Sequence, residues 1–273
     1  GTLTITSGNT DGNNTGSLAA TGAGCSAGIG SAANSGGGAG DIEITGGDIT
    51  AIGASDGAGI GSGCKATGNT NITISGSAKI KAQTEQGGAG IGSGANSFGT
   101  TTVNITSGTV KAQGGDYGAG IGGGDNSRNT NITISGGTIE EAVGGSTGDG
   151  IGGGKESTNI TVNIEGGHIE TAQGGAGFGD YDAGDGIHSD GSLTISSKAT
   201  IGSAIGGEDD RSSSKSKAGH GIYSYRGLTI EGNIGTAKGG DATASGKNGG
   251  DGIHTDGNYS GDNLREGNLT IGG

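Results

Sequence analysis

The chain contains no proline, no methionine and no tryptophan, and only two cysteines. It holds five tyrosines and two phenylalanines in 273 residues. No run of about 20 apolar residues occurs, so no helical membrane span is expected. Collagen is excluded, because it needs abundant proline and glycine at every third position. A helical bundle is excluded by the 72 glycines, each of which costs about 1 kcal/mol in a helix relative to alanine. Positive charge is also scarce. Lys and Arg total 14 against 27 Asp and Glu, giving a net charge of -13. A phosphate backbone needs basic patches, so nucleic acid is not an expected partner.

What is present is periodic. A Gly-x-Gly-Ile signature places isoleucine at 29, 60, 91, 121, 151, 187, 222 and 253. A second signature, as in Asn131-Ile-Thr-Ile-Ser-Gly-Gly, follows each time with Ile44, Ile74, Ile105, Ile134, Ile164, Ile195 and Ile230. A third isoleucine or valine comes about five residues later: Ile49, Ile80, Val110, Ile139, Ile169, Ile201 and Ile234. Alternation within the middle segment puts Ile132 and Ile134 on one face and Asn131, Thr133 and Ser135 on the other. One such unit cannot bury its own aliphatic face, but stacked units can. The pattern predicts an all-β, right-handed parallel β-helix of about eight rungs, each about 30 residues with three short strands. Residues 1–273 read as one solenoid. Plain Gly-Ile rungs fill 1–180 and decorated Asp/His/Tyr rungs fill 181–273. Both ends sit inside a repeat, so a segment of a longer chain is expected.

The decorated rungs read Asp185-Gly-Ile-His188-Ser-Asp190, His220-Gly-Ile-Tyr223-Ser-Tyr225 and Asp251-Gly-Ile-His254-Thr-Asp256. Stacking by the isoleucines puts these groups in columns about 5 Å apart. Strand parity turns His188, Tyr223 and His254 outward. It turns Asp185, His220 and Asp251 inward, unless the column lies at a corner. Aromatics concentrate beyond residue 177 (Phe178, Tyr181, Tyr223, Tyr225 and Tyr259). The acidic run Glu208–Asp210, with Lys215 and Lys217 after it, reads as a solvated loop. Cys25 and Cys64 sit four residues before Ile29 and four after Ile60, toward opposite strand ends, so two free thiols are expected rather than a disulfide.

The segment 185–196, Asp-Gly-Ile-His-Ser-Asp-Gly-Ser-Leu-Thr-Ile-Ser, and the segment 251–257, Asp-Gly-Ile-His-Thr-Asp-Gly, resemble the clostridial carbohydrate-binding, pectate-lyase-like β-helix family. The earlier Gly-Ala-Gly-Ile-Gly units resemble repeats of large Firmicutes surface proteins. The first resemblance implies calcium held by Asp185, Asp190, Asp251 and Asp256. With the outward rings it implies a carbohydrate surface of His188, Tyr223, Tyr225 and His254. The implied partner is an acidic polysaccharide or cell-wall glycan, met outside the cell or on its surface. Non-catalytic binding by a rigid, adhesive solenoid is the expected function, the alternative being a pure spacer or fibre subunit that associates end to end. A lyase or hydrolase is the lesser alternative. Gly219-His220-Gly221 is shared with polygalacturonases, but the companion Asn-Thr-Asp and Arg-x-Lys elements are missing.

Overall fold

The computed structural model describes residues 1–7, 16–209, 216–242 and 248–256, and as backbone alone the strands 258–260, 263–265 and 268–271. The chain winds into a parallel β-solenoid. Three sheets of nine, eight and eight strands run its length, each pairing a strand with its counterpart one rung later. The described residues contain no α-helix, and thus none long and apolar enough to cross a membrane.

The predicted columns are the registers of these sheets. In the first sheet Ile44, Ile74, Ile105, Ile134, Ile164, Ile195 and Ile230 pair in succession. In the second Ile49, Ile80, Val110, Ile139, Ile169, Ile201 and Ile234 do so. In the third the Gly-x-Gly-Ile isoleucines pair from Ile29 to Ile253. These chains meet in one apolar core, with Ile60, Ile91, Ile121 and Ile151 fully buried. Apolar area removed from water contributes about 25 cal/mol per Å². The core forms only when rungs stack.

The third sheet differs between the two halves. In the plain rungs its strands are two residues long, ending in Gly30, Gly61, Gly92, Gly122 and Gly152. These glycines lie at φ between 137 and 155°. A Cβ on Gly92 would stand 1.9 Å from the carbonyl oxygen of Gly122. No side chain fits there. The segment then curls back, so that Ala58 N–H donates to Ser62 C=O at 3.0 Å and Ala89 N–H to Ser93 C=O at 3.0 Å. In the decorated rungs His188, Tyr223 and His254 replace that glycine, and the strands extend to three residues.

The curl corrects two sequence expectations. Cys25 and Cys64 are not at opposite ends: Cys64 N–H donates to Cys25 C=O at 2.9 Å. Both are free thiols. The Asp185 column does not point into the apolar core. The strand begins only at Ile187, so parity does not reach back two residues, and the column lies at the corner. The acidic run is likewise not wholly solvated. Asp209 is fully buried and accepts Ser216 Oγ–H at 3.0 Å. Asp210, Lys215 and the Tyr259 side chain lie outside the described residues.

Candidate functional site

The corner leading into the decorated rungs carries a ladder of side chains that accept backbone donors, chiefly from the next rung. Asp149 Oδ1 takes the N–H of Asp185 at 2.7 Å, and Asp149 Oδ2 that of Gly153 at 2.7 Å. Asp185 Oδ1 takes the N–H of His220 at 2.6 Å. His220 Nδ1 takes the N–H of Asp251 at 2.9 Å. A buried polar group is tolerated only when so paired.

Above this ladder the outward rings form a second layer. His188 Nδ1 lies 3.1 Å from Asp149 Oδ2 and 3.4 Å from Asp185 Oδ2. Its Nε2 lies 3.3 Å from Asp190 Oδ1 but off the line of a hydrogen bond, so that contact is Coulombic. His254 repeats the theme, with Nδ1 2.7 Å from Asp251 and Nε2 3.0 Å from Asp256. Tyr223 O–H donates to the other oxygen of Asp256. The rings stack: His220 on His254 at 4.3 Å, His220 on Tyr223 at 5.4 Å, and His188 edge-on to Tyr223 at 4.9 Å.

The electrostatics follow from burial and these partners. Burial pushes Asp185 up, the neighbouring Asp149 carboxylate adds to it, and Asp185 reaches about 7. Burial alone would lower His188, but Asp149, Asp190 and Asp185 outweigh it and hold the imidazole well above its ordinary value. Burial lowers His220, helped by the neighbouring His254. His254 is raised: burial opposes this, but Asp256 and Asp251 prevail. Asp256 is lowered, chiefly by the Tyr223 hydroxyl. Asp190 is lowered although burial opposes it, because His188 faces it.

Beside this ladder runs an open groove of about 720 Å³. Its lining includes His188, His220, Tyr223, His254 and Asp256 of the decorated columns, together with Tyr181. Lys155 also lines it. Its ammonium stands 4.1 Å over the Tyr181 ring and 5.1 Å over that of Tyr117, and 4.0 Å from Asp125. Thr147 lines it too, its hydroxyl buried and without a partner.

The expected site residues are therefore brought together only in part. His188, Tyr223 and His254 share the groove. Tyr225 does not line it: it is 39% exposed elsewhere, its amide tied to Ser189 C=O. The four aspartates assigned to calcium do not converge. Asp185 and Asp190 close around His188, whereas Asp251 and Asp256 close around His254, two rungs away. Calcium takes six to eight oxygens. Here Asp149, Asp185, Asp190 and Asp256 already accept N–H or O–H donors, and an imidazole lies between the carboxylates of each pair. The residues do not fit calcium. Two sets place three ligand atoms within 4.8 Å, namely Asp149, Asp185, His188 and His220, Asp251, His254. Thr147, Lys155 and Lys217 in the groove were not anticipated. Only Lys155 left a signal, since it stands four residues after Ile151 as Asp125 stands four after Ile121.

Comparison with known proteins agrees with the plain rungs. Four stretches, 42–64, 72–95, 103–125 and 132–155, match a family model, the beta helix repeat. The matches end before the decorated rungs, so the carbohydrate-binding resemblance of 183–273 lies outside them. Neither the curated proteins nor the solved structures gave a match.

Proposed function

We propose that the protein is a rigid, non-catalytic surface β-solenoid that holds a carbohydrate chain in the groove of its decorated rungs, outside the cell. The observation that carries this reading is the ring stack itself. Tyr223, His220 and His254 line one open groove with Tyr181, among hydrogen-bonding side chains. Sugar rings offer C–H faces to aromatic rings and hydroxyls to carboxylates and imidazoles. A non-catalytic role suits the ladder, because the carboxylates and imidazoles beneath the groove are engaged with one another. Asp185, the carboxyl best poised as an acid, lies under His188 with one oxygen held by a backbone N–H.

Charge selects among glycans. Asp149, Glu156, Asp182, Asp185 and Asp256 line the groove against Lys155 and Lys217. Without a bridging calcium, a neutral chain fits this surface better than the acidic polysaccharide implied by the family resemblance. Binding should therefore be measured by calorimetry against neutral and polygalacturonate oligosaccharides, each with calcium and with chelator. Neutral chains are expected to bind without regard to calcium, and Tyr181→Ala to weaken them about tenfold, the worth of one aromatic contact. Calcium-dependent capture of polygalacturonate would restore the acidic reading, and silence toward every sugar would leave a spacer.

The spacer reading has its own support. One apolar core runs from Ile29 to Ile230 through the stacked rungs, as a stiff rod requires. Concentration-dependent sedimentation tests end-to-end association directly.

A further inference from the structure

The two cysteines of the chain lie 39 positions apart and belong to different rungs, yet they are neighbours in space. The cause is the curl of the plain rungs. The segment leaving the third-sheet strand of one rung bonds to the segment entering that strand in the rung before. Cys64 N–H to Cys25 C=O is the first such bond, followed by Ala95 to Asp56, Asp125 to Gly87 and Lys155 to Tyr117. The later rungs carry unrelated residue pairs in these slots, and only the first pair is cysteine on both sides. That backbone bond, 2.9 Å from N to O, sets the two residues side by side, within the reach a disulfide requires. Burial, with the Cys25 thiol close beside it, raises Cys64 to about 11.

We infer that Cys25 and Cys64 form a cross-rung disulfide when a small-molecule or protein disulfide donor is present, stapling the first two rungs of the solenoid. Cys25 is the partly exposed member and Cys64 the buried one, which sets the order of events. The Cys25 thiolate attacks one sulfur of the donor, and the donor's other sulfur leaves as a thiol. Cys64 then gives its proton to solvent and attacks the Cys25 sulfur of the mixed disulfide, releasing the second donor thiol. Two protein thiols are oxidised and one donor disulfide is reduced to two thiols.

The location gives the bond a use. A solenoid is held by nearest-neighbour interfaces, so a bond across one of them resists the parting of that pair of rungs. The staple ties the rung of Ile29 to that of Ile60, whose isoleucines pair in register.

The test is to incubate the folded chain with oxidised glutathione and read intact mass, thiol count and backbone hydrogen exchange. The expected product has lost both thiols and two hydrogens and carries no glutathione. Exchange in the strands Gly40–Ile44 and Asp48–Ile52 should slow about tenfold relative to the reduced chain. Cys64→Ser is expected to stop at a glutathione adduct on Cys25. A wild-type chain that stops at that adduct, or keeps two thiols under conditions that oxidise its unfolded form, would overturn the bond. Closure without slower exchange would overturn the staple.

Discussion

The plain and decorated rungs use one device with two chemistries. In the plain half, a serine hydroxyl accepts the backbone N–H of the next rung: Ser31 from Gly63, Ser62 from Gly94 and Ser93 from Gly124, each at 3.0 Å. From the last plain rung onward Asp149, Asp185 and His220 do the same. A hydroxyl completes the bond and leaves no charge. A carboxylate completes it and leaves a charge that must be met, and His188 and His254 meet it. The glycine column closes the plain half to side chains, so the rings appear only where that column ends. The plain half is thus a rod whose surface does little, and the decorated half is the same rod with a built-in chemical face.

The sharpest way to break this comparison is to place a side chain in the glycine column. Gly92→Ala would set a Cβ 1.9 Å from a backbone carbonyl at φ 140°. Neither neighbour can move without parting the rungs. The expected loss is about 4 kcal/mol, read by denaturant unfolding. Tyr223→Ala occupies the same slot in a decorated rung and should cost far less. Equal losses would mean that the two halves do not differ in this column.

Next in size is His188→Ala. It removes the imidazole from among Asp149, Asp185 and Asp190 and leaves like charges facing one another. Breaking a buried pair from one side costs about 3 kcal/mol. The loss should appear as earlier opening of the decorated rungs, seen by hydrogen exchange at Ile187 and Ile222, while Ile60 and Ile91 keep their protection. Uniform loss along the rod would show that the halves unfold as one unit.

How much of this was legible in the sequence depends on distance from the isoleucines. Three phased columns gave the sheets, because a stacked Ile or Val is constrained by its neighbours above and below. The His188, Tyr223 and His254 column was legible for the same reason: it adjoins the isoleucine inside the strand. Two or more residues away the reading failed. The Asp185 side precedes the strand, and the curl carries Cys64 back to Cys25, so counting parity left the face of the first open and gave the wrong end for the second. The groove draws on Thr147, Lys155 and Tyr181. The rung spacing jumps to 36 residues between Ile151 and Ile187, so no fixed period brings these positions together. Chemistry is the least legible part, because a motif names a ligand type without its geometry. Four aspartates suggest calcium, and in the fold they flank His188 and His254.

The smallest expected effect, and the one closest to the comparison, is a dependence on pH confined to the decorated half. His188 sits well above its ordinary 6.5, so the stability it contributes is complete below 6.5 and is lost as pH rises through its folded value. Asp185 sits at about 7 against an ordinary 3.8. Its buried carboxyl holds a proton that the unfolded chain releases, so stability falls as pH rises from 3.8 to about 7. Both groups act in the same direction. His220, lowered below 6.5, acts the other way at acid pH, because the folded site resists charging it. Asp190 and Asp256, both lowered from 3.8, withdraw stability below that value. Stability should therefore fall from mildly acid pH through neutrality, Asp185 supplying the loss up to about 7 and His188 the loss above it. The fall should be about 1–2 kcal/mol, or about 5 °C in melting temperature. Asp185→Asn keeps an oxygen for the His220 amide and removes the titrating proton, so its decline should be shallower than that of the native chain. The serine ladder of the plain rungs has no proton to lose in this range. Hydrogen exchange at Ile60 and Ile91 should thus report no pH dependence beyond the intrinsic chemistry of exchange, and a matching decline there would place the titrating groups outside the decorated corner.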